Sequence, residues 1–317
     1  MGFEGLLGNE RSKENLRHSI AGGHISHCYL LSGVKGSGRR TLAKLLAAAI
    51  VCQGADKPCL RCPACRKVMN NSHPDVITMD DLEKKTVSIE LVRKACAEIY
   101  VRPNEADKKI YLFPRAQDML PAAQNAFLKV LEEPPHYGVF VLITDNPENL
   151  LPTVRSRCTH LRLEALPADL LRHSLQTKFP DAEPDTIAAA IARSGGYLGQ
   201  AIDLVQHGTA VCATAEQFVQ GFAACDAMQL TQTLVSMEKY KRETLIQELS
   251  QWVELLENAL LLRSGAQAMH PLAKPLAQKR TAKALMQAIT ELHKCIVYAK
   301  SNVSPAAICG YLVWALR

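Results

Sequence analysis

The stretch CYLLSGVKGSGRRT, Cys28 to Thr41, constrains the fold of this chain more than any other. A short apolar run enters a glycine-rich turn, and the turn opens a helical pattern over Arg39–Cys52. A strand that feeds a helix in this way belongs to an α/β sheet covered on both faces. His27–Leu31 is the first of four predicted buried strands; the others are Val76–Met79, Ile110–Phe113 and Val139–Thr144. Between them lie helical patterns at Ile89–Ile99 and Ala122–Leu131. One α/β domain over residues 1–165 follows.

After EALPADL the strand signal ends. Helical periodicity in LPADLLRHSLQTKF and PDTIAAAIARSGGYLGQAIDLV predicts a small helical domain over 166–207, broken at Gly195 and Gly196. Residues 208–317 are expected to be all-helical, with LIQELSQWVELLENALLLRS and AKALMQAITELHKCIVYAK as long amphipathic helices and short breaks at His270–Pro271 and Ser304–Pro305. A hydrophobic content of 48% with only 5% aromatics suits this Ala/Leu-rich, largely helical balance. No internal repeat is visible.

A formal charge of +6 over 317 residues is too modest to identify an anionic partner by itself. The start, MGFEGLLGNERSKE, lacks the basic segment and apolar core of a signal peptide. The longest apolar stretch, LAKLLAAAIVC, contains Lys44 and is shorter than the roughly 20 residues that span a bilayer. A cytoplasmic protein without membrane association is expected.

In that compartment the 11 cysteines are expected as thiols or metal ligands. Cys52, Cys59, Cys62 and Cys65 stand in CQGADKPCLRCPAC with gaps of six, two and two residues. Four thiolates satisfy the tetrahedral preference of zinc and leave no open position for substrate, so the expected metal is structural. Buried unligated thiols or redox chemistry at a CxxC are the alternatives. His73 is a lesser candidate ligand, because HPDV also reads as the lead into a strand.

Gly33–Thr41 has the spacing of the phosphate-binding pattern GxxxxGK[ST]. Gly33, Gly36 and Gly38 keep the glycines around Ser37, but Arg39 stands at the lysine position and Arg40 at the hydroxyl position, with Thr41 one residue late. A guanidinium does not replace a lysine point charge at a crowded site and cannot ligate magnesium. The expected acidic pair after the KKIYLF strand, which would hold magnesium and activate water, is Pro114 and Arg115. Asp118, further on, is expected as a helix cap or a solvated charge. No functional ATP site is expected.

Together, HISHCYLLSG, the degenerate loop, the cysteine cluster, QNAFLKVLEEPP (Gln124–Pro135) and NPENLLPTVRSRC (Asn146–Cys158) resemble the delta-prime subunits of bacterial DNA polymerase III clamp loaders, within the AAA+ superfamily. The resemblance covers the first half of the chain; beyond residue 210 it is one of architecture. It implies a P-loop-type AAA+ core (1–165) with an inserted zinc module (52–65), a helical lid (166–207) and a helical C-terminal collar domain (208–317) that oligomerises. It further implies a non-motor subunit, not itself an enzyme, in a five-membered ring with gamma/tau motor subunits and delta. That ring places the sliding clamp on primed DNA. The family's SRC motif falls on Ser156, Arg157 and Cys158, and the resemblance makes Arg157 an arginine finger reaching a neighbour's ATP; Arg155 is its competitor. Gly199 occupies the lid position where ATP-binding relatives carry a sensing arginine. An active motor subunit and a zinc-ribbon nucleic-acid binder, the latter prompted by Lys57, Arg61, Arg66 and Lys67, are the rival expectations.

Overall fold

A computed structural model of the chain describes all residues except 1, 82, 83, 85, 208–213, 266–271, 302 and 317. It divides into two compact units, residues 1–208 and 209–317. The boundary expected at residue 208 and the break expected at His270–Pro271 lie outside the described residues.

The first unit begins with α1 (Glu10–Ala21), β1 (Cys28–Ser32), α2 (Arg39–Val51), α3 (Pro63–Met69), β2 (Val76–Thr78) and α4 (Ile89–Glu98). It continues through β3 (Lys109–Phe113), α5 (Pro121–Glu132), β4 (Gly138–Thr144), α6 (Pro152–Arg155) and β5 (Thr159–Arg162). The helices α7 (Ala168–Lys178), α8 (Pro184–Arg193) and α9 (Leu198–His207) complete it. The strands form one parallel sheet in the order β2-β3-β4-β1-β5. All four expected strands are present, each within a residue or so of its predicted span.

The fifth strand is a finding. Of its four residues only Leu161 is buried, so β5 carries too little apolar signal to stand out in sequence, and pairing with β1 defines it.

Strand pleating sends alternate side chains to opposite faces. Tyr29 and Leu31 of β1 join Leu42, Leu46 and Ala49 of α2 on one face, whereas Cys28 and Leu30 meet Val92 of α4 and Phe127 of α5 on the other. Such double burial explains why β1, β3 and β4 read as unbroken apolar runs. α7, α8 and α9 gather a small core of their own around Leu171, Leu175, Ile187 and Ile191.

The second unit is helical throughout its described residues: α10 (Ala215–Ala224), α11 (Ala227–Met237), α12 (Arg242–Arg263), α13 (Ala273–Lys279), α14 (Ala282–Lys300) and α15 (Pro305–Ala315). Trp252 of α12 stacks on Phe218 at 4.1 Å between ring centres, in a core that also takes in Leu256, Leu285 and Leu292. The expected Ser304–Pro305 break is a helix start: Ser304 Oγ accepts the Ala307 N–H and Pro305 occupies the first turn.

Candidate functional site

The four cysteines converge. Cys52 ends α2, Cys62 caps α3 and Cys65 lies in its first turn. Leu60 adopts the left-handed region (φ 57°), which turns the chain between Cys59 and Cys62. The four Sγ atoms all lie within 4.8 Å of one another, with Cys59 and Cys65 at 4.0 Å. Sulfurs bound about 2.3 Å from one zinc ion stand about 3.8 Å apart, so the cluster is of the right size to hold zinc.

Backbone N–H groups serve the sulfurs as well. Gly54 and Cys59 donate to Cys52 Sγ, both at 3.3 Å, Cys62 to Cys59 Sγ at 3.3 Å and Cys65 to Cys62 Sγ at 3.4 Å. Donors of this kind favour thiolate over thiol. The N–H groups of Arg61 and Cys62 pull the Cys59 thiol down to about 6, while burial pushes the Cys65 thiol up. His73 is not one of the four; it is buried, and its Nδ1 accepts the Asp75 N–H at 3.1 Å.

The glycine turn lies at the carboxyl end of β1, where the sheet order brings β4 to one side and β5 to the other. Gly38 caps α2 in a left-handed conformation (φ 93°). Gly36, also left-handed (φ 86°), meets the start of α9 backbone to backbone. Gly199 N–H donates to Gly36 O at 2.9 Å and Gln200 Nε2 to Lys35 O at 2.9 Å. A Cβ on Gly199 would lie 2.6 Å from Gly36 Cα, so the contact requires glycine there.

A cavity of about 680 Å³ opens beside this turn. Its lining includes Lys35, Arg39, Arg40, Arg115 and Lys178 against Asp145 and Asp203, a cationic balance. Burial lowers the Arg39 guanidinium and nearby Asp145 opposes that shift. At the end of β3, Arg115 is already bonded: its Nε donates to Asp80 Oδ1 at 2.8 Å, Nη2 to Asp81 O at 2.6 Å and Nη1 to Lys84 O at 3.0 Å. Asp118 lies in the single turn Ala116–Asp118, 3.7 Å from Arg115, with burial raising its carboxyl. Pro114 and Arg115 supply no carboxylate to the cavity.

Ser156, Arg157 and Cys158 form the turn between α6 and β5. Arg157 Nη2 donates to Glu132 Oε1 at 2.7 Å and Nη1 to Thr153 O at 2.8 Å; Arg155 Nη1 donates to Glu148 Oε1 at 2.6 Å. Ser156 is exposed and its Oγ donates to Thr153 O at 3.2 Å. Both arginines therefore sit in surface ion pairs, bonds that exchange readily for a stronger anion.

Gln124 is the residue that sequence reasoning missed. Only 2% exposed, it donates through Nε2 to Met119 O (2.9 Å) and Asn149 O (3.0 Å), and its Oε1 accepts the Leu151 N–H at 2.6 Å. It thus ties α5 to the segment that carries the arginine turn. The available signal was a glutamine among the apolar positions of a buried helix face. Gln124→Ala takes away the partner of a part-buried N–H and of two carbonyls and is expected to destabilise the first unit by about 1–2 kcal/mol, read as a lower denaturant midpoint; an unchanged midpoint would show that the tie contributes nothing.

The family model described as DNA polymerase III, delta subunit, matches residues 8–167, just over half of the 317 residues. The chain belongs to the DNA polymerase III clamp-loader subunits of the AAA+ superfamily. Among these clamp-loader proteins, the delta-prime subunit of Yersinia pestis is 28% identical over 296 residues, 88% of this chain and 84% of that relative. DNA polymerase III subunit gamma of Buchnera aphidicola subsp. Schizaphis graminum is 28% identical over 211 residues, 65% of this chain. The chain spans 58% of that gamma subunit's length and 32% of the tau subunit of Bacillus subtilis. The crystal structure of a gamma-subunit-related protein of Thermotoga maritima covers 96% of this chain and 98% of its own at 19% identity, with a TM-score of 0.43. No helix among the described residues is long and apolar enough to cross a membrane.

Proposed function

We propose that this clamp-loader subunit is of the non-motor, delta-prime type: it binds no catalytic nucleotide, and Arg157 acts on ATP held by a neighbouring gamma/tau subunit. The observation that carries the reading is Arg115. A guanidinium bonded to Asp80 occupies the place from which a motor subunit would hold magnesium and activate water. Arg39, Arg40 and the Gly36–Gly199 contact support the same reading from three other points around the cavity.

An arginine delivered from outside stabilises charge that develops on the γ-phosphate, and it makes hydrolysis depend on assembly. On this reading the chain partners gamma/tau and delta in a ring that loads the sliding clamp on primed DNA, with an AAA+ core, a lid over 166–207 and a C-terminal collar domain. Cys52, Cys59, Cys62 and Cys65 would hold a structural zinc, which supplies a cross-link between α2 and α3 and no catalysis.

The test has two arms. Co-expression with gamma/tau and delta subunits should yield a stable complex, and the chain alone should show no steady turnover of magnesium-ATP. Turnover by the chain alone would overturn the non-motor assignment; failure to associate would overturn the partnership.

A further inference from the structure

Two cysteines outside the four-sulfur cluster are in contact. Cys28, the first residue of β1, is fully buried, and Cys158, the residue before β5, is half-buried. Their Sγ atoms are 3.1 Å apart. The β1–β5 ladder begins at Tyr29 and Thr159, so the two cysteines face each other one position ahead of it. Neighbouring strands lie about 4.8 Å apart, which falls within the Cα separation of roughly 4.4–6.8 Å that a disulfide spans.

We propose that Cys28 and Cys158 are an oxidant-responsive thiol pair, closed by hydrogen peroxide to an interstrand disulfide that fastens the Arg157 turn to β1. Cys158 is the half-buried member and meets the oxidant first. Its thiolate attacks the O–O bond; an S–O bond forms, and the leaving hydroxide takes up a proton to become water. Cys28 Sγ then displaces the hydroxyl of the sulfenic acid, the S–S bond forms and a second water leaves. The two thiols together lose two electrons and one peroxide is reduced to two waters. Burial pushes the Cys28 thiol up and disfavours its thiolate; what favours the second step is the 3.1 Å contact, which holds the electrophilic sulfur against Cys28 Sγ.

The bond changes what surrounds Arg157. Cys158 Sγ now lies 3.1 Å from Val154 O as a donor. Oxidation removes that proton and ties the residue after Arg157 to the first residue of a central strand. The effect on a neighbour's ATP rests on the arginine-finger reading; the disulfide does not.

Trypsin separates the two claims. Cys28 falls in peptide 18–35 and Cys158 in peptide 158–162, each with a single cysteine. The zinc-loaded full chain is treated with hydrogen peroxide, alkylated and digested. The two peptides are expected as one linked species that becomes the main form of Cys158, disappears on reduction and is absent from Cys28→Ala. In that variant Cys158 should instead accumulate as a sulfenic acid trapped by dimedone. Wild-type Cys158 that oxidises without linking to Cys28, or that stays reduced, overturns the pair. ATP turnover of the assembled complex, with oxidised against dithiothreitol-reduced chain, reads the second claim: a reversible change supports it and an equal rate removes it while leaving the mapped disulfide intact.

Discussion

Cys62→Ser is expected to reduce bound zinc from one ion per chain to near zero and to lower the thermal midpoint of the first unit by the same amount as a strong chelator lowers that of the wild type. The substitution is chosen because Cys62 has two roles. Its sulfur faces the other three, and it also caps α3 by accepting the Cys65 N–H. Serine is itself a preferred cap, so the helix start survives and the loss reports the metal. Structural zinc is worth about 10–16 kcal/mol in small finger peptides. A smaller effect is expected here, because Ala64 and Val68 of α3 share the core beneath α2 and do not depend on a metal for their burial. The residues released should be those from about 53 to 62. Protons compete for thiolates, so occupancy should fall as pH is lowered. A variant that keeps its zinc, or a wild type whose midpoint ignores the chelator, would remove the metal from the account of the fold.

Arg157→Ala in an assembled complex is expected to lower turnover at one neighbouring ATP site by about 10³-fold or more while assembly is unchanged. On the proposed reading the whole complex would slow only by that site's share, so the sharp measurement would use a complex in which the other ATP sites are disabled. Release from Glu132 is cheap: the pair is partly exposed, and such pairs contribute about 0–1 kcal/mol. Glu132→Ala should therefore leave turnover intact. Arg157→Lys should not restore it, because an ammonium lacks the planar fork. Arg155→Ala, which breaks the pair with Glu148, separates the two arginines. Equal turnover by the Arg157 variant would exclude it from the mechanism.

What could be read from the sequence was what is local along it. The four cysteines are legible because gaps of two residues bring sulfurs together through single turns. The buried strands are legible because both faces of the sheet are covered, so Tyr29 and Leu30 are both buried although they point opposite ways. β5 is not, since an edge strand with one buried side chain has no pattern to display. Nor is the bond from Arg115 to Asp80, 35 residues apart, or the Cys28–Cys158 contact, 130 apart. Those depend on strand order, and no spacing in the chain encodes it. Gln124 shows a third kind of limit: its residue type was visible, but beyond its local bond to Met119 its partners, Asn149 and Leu151, exist only once a second loop has packed against α5.

The paired glycines at 36 and 199 bear on how such a chain can change over time. Neither position has room for a side chain: a Cβ on Gly36 would lie 2.7 Å from the Gln200 nitrogen, and one on Gly199 would lie 2.6 Å from the Gly36 α-carbon. Placing an arginine at 199 is thus not an exchange of side chains, because α9 must first withdraw from the turn and give up the hydrogen bonds to Lys35 and Gly36. A larger residue at either position is therefore expected to require a displaced helix, a step that selection on single substitutions does not readily cross.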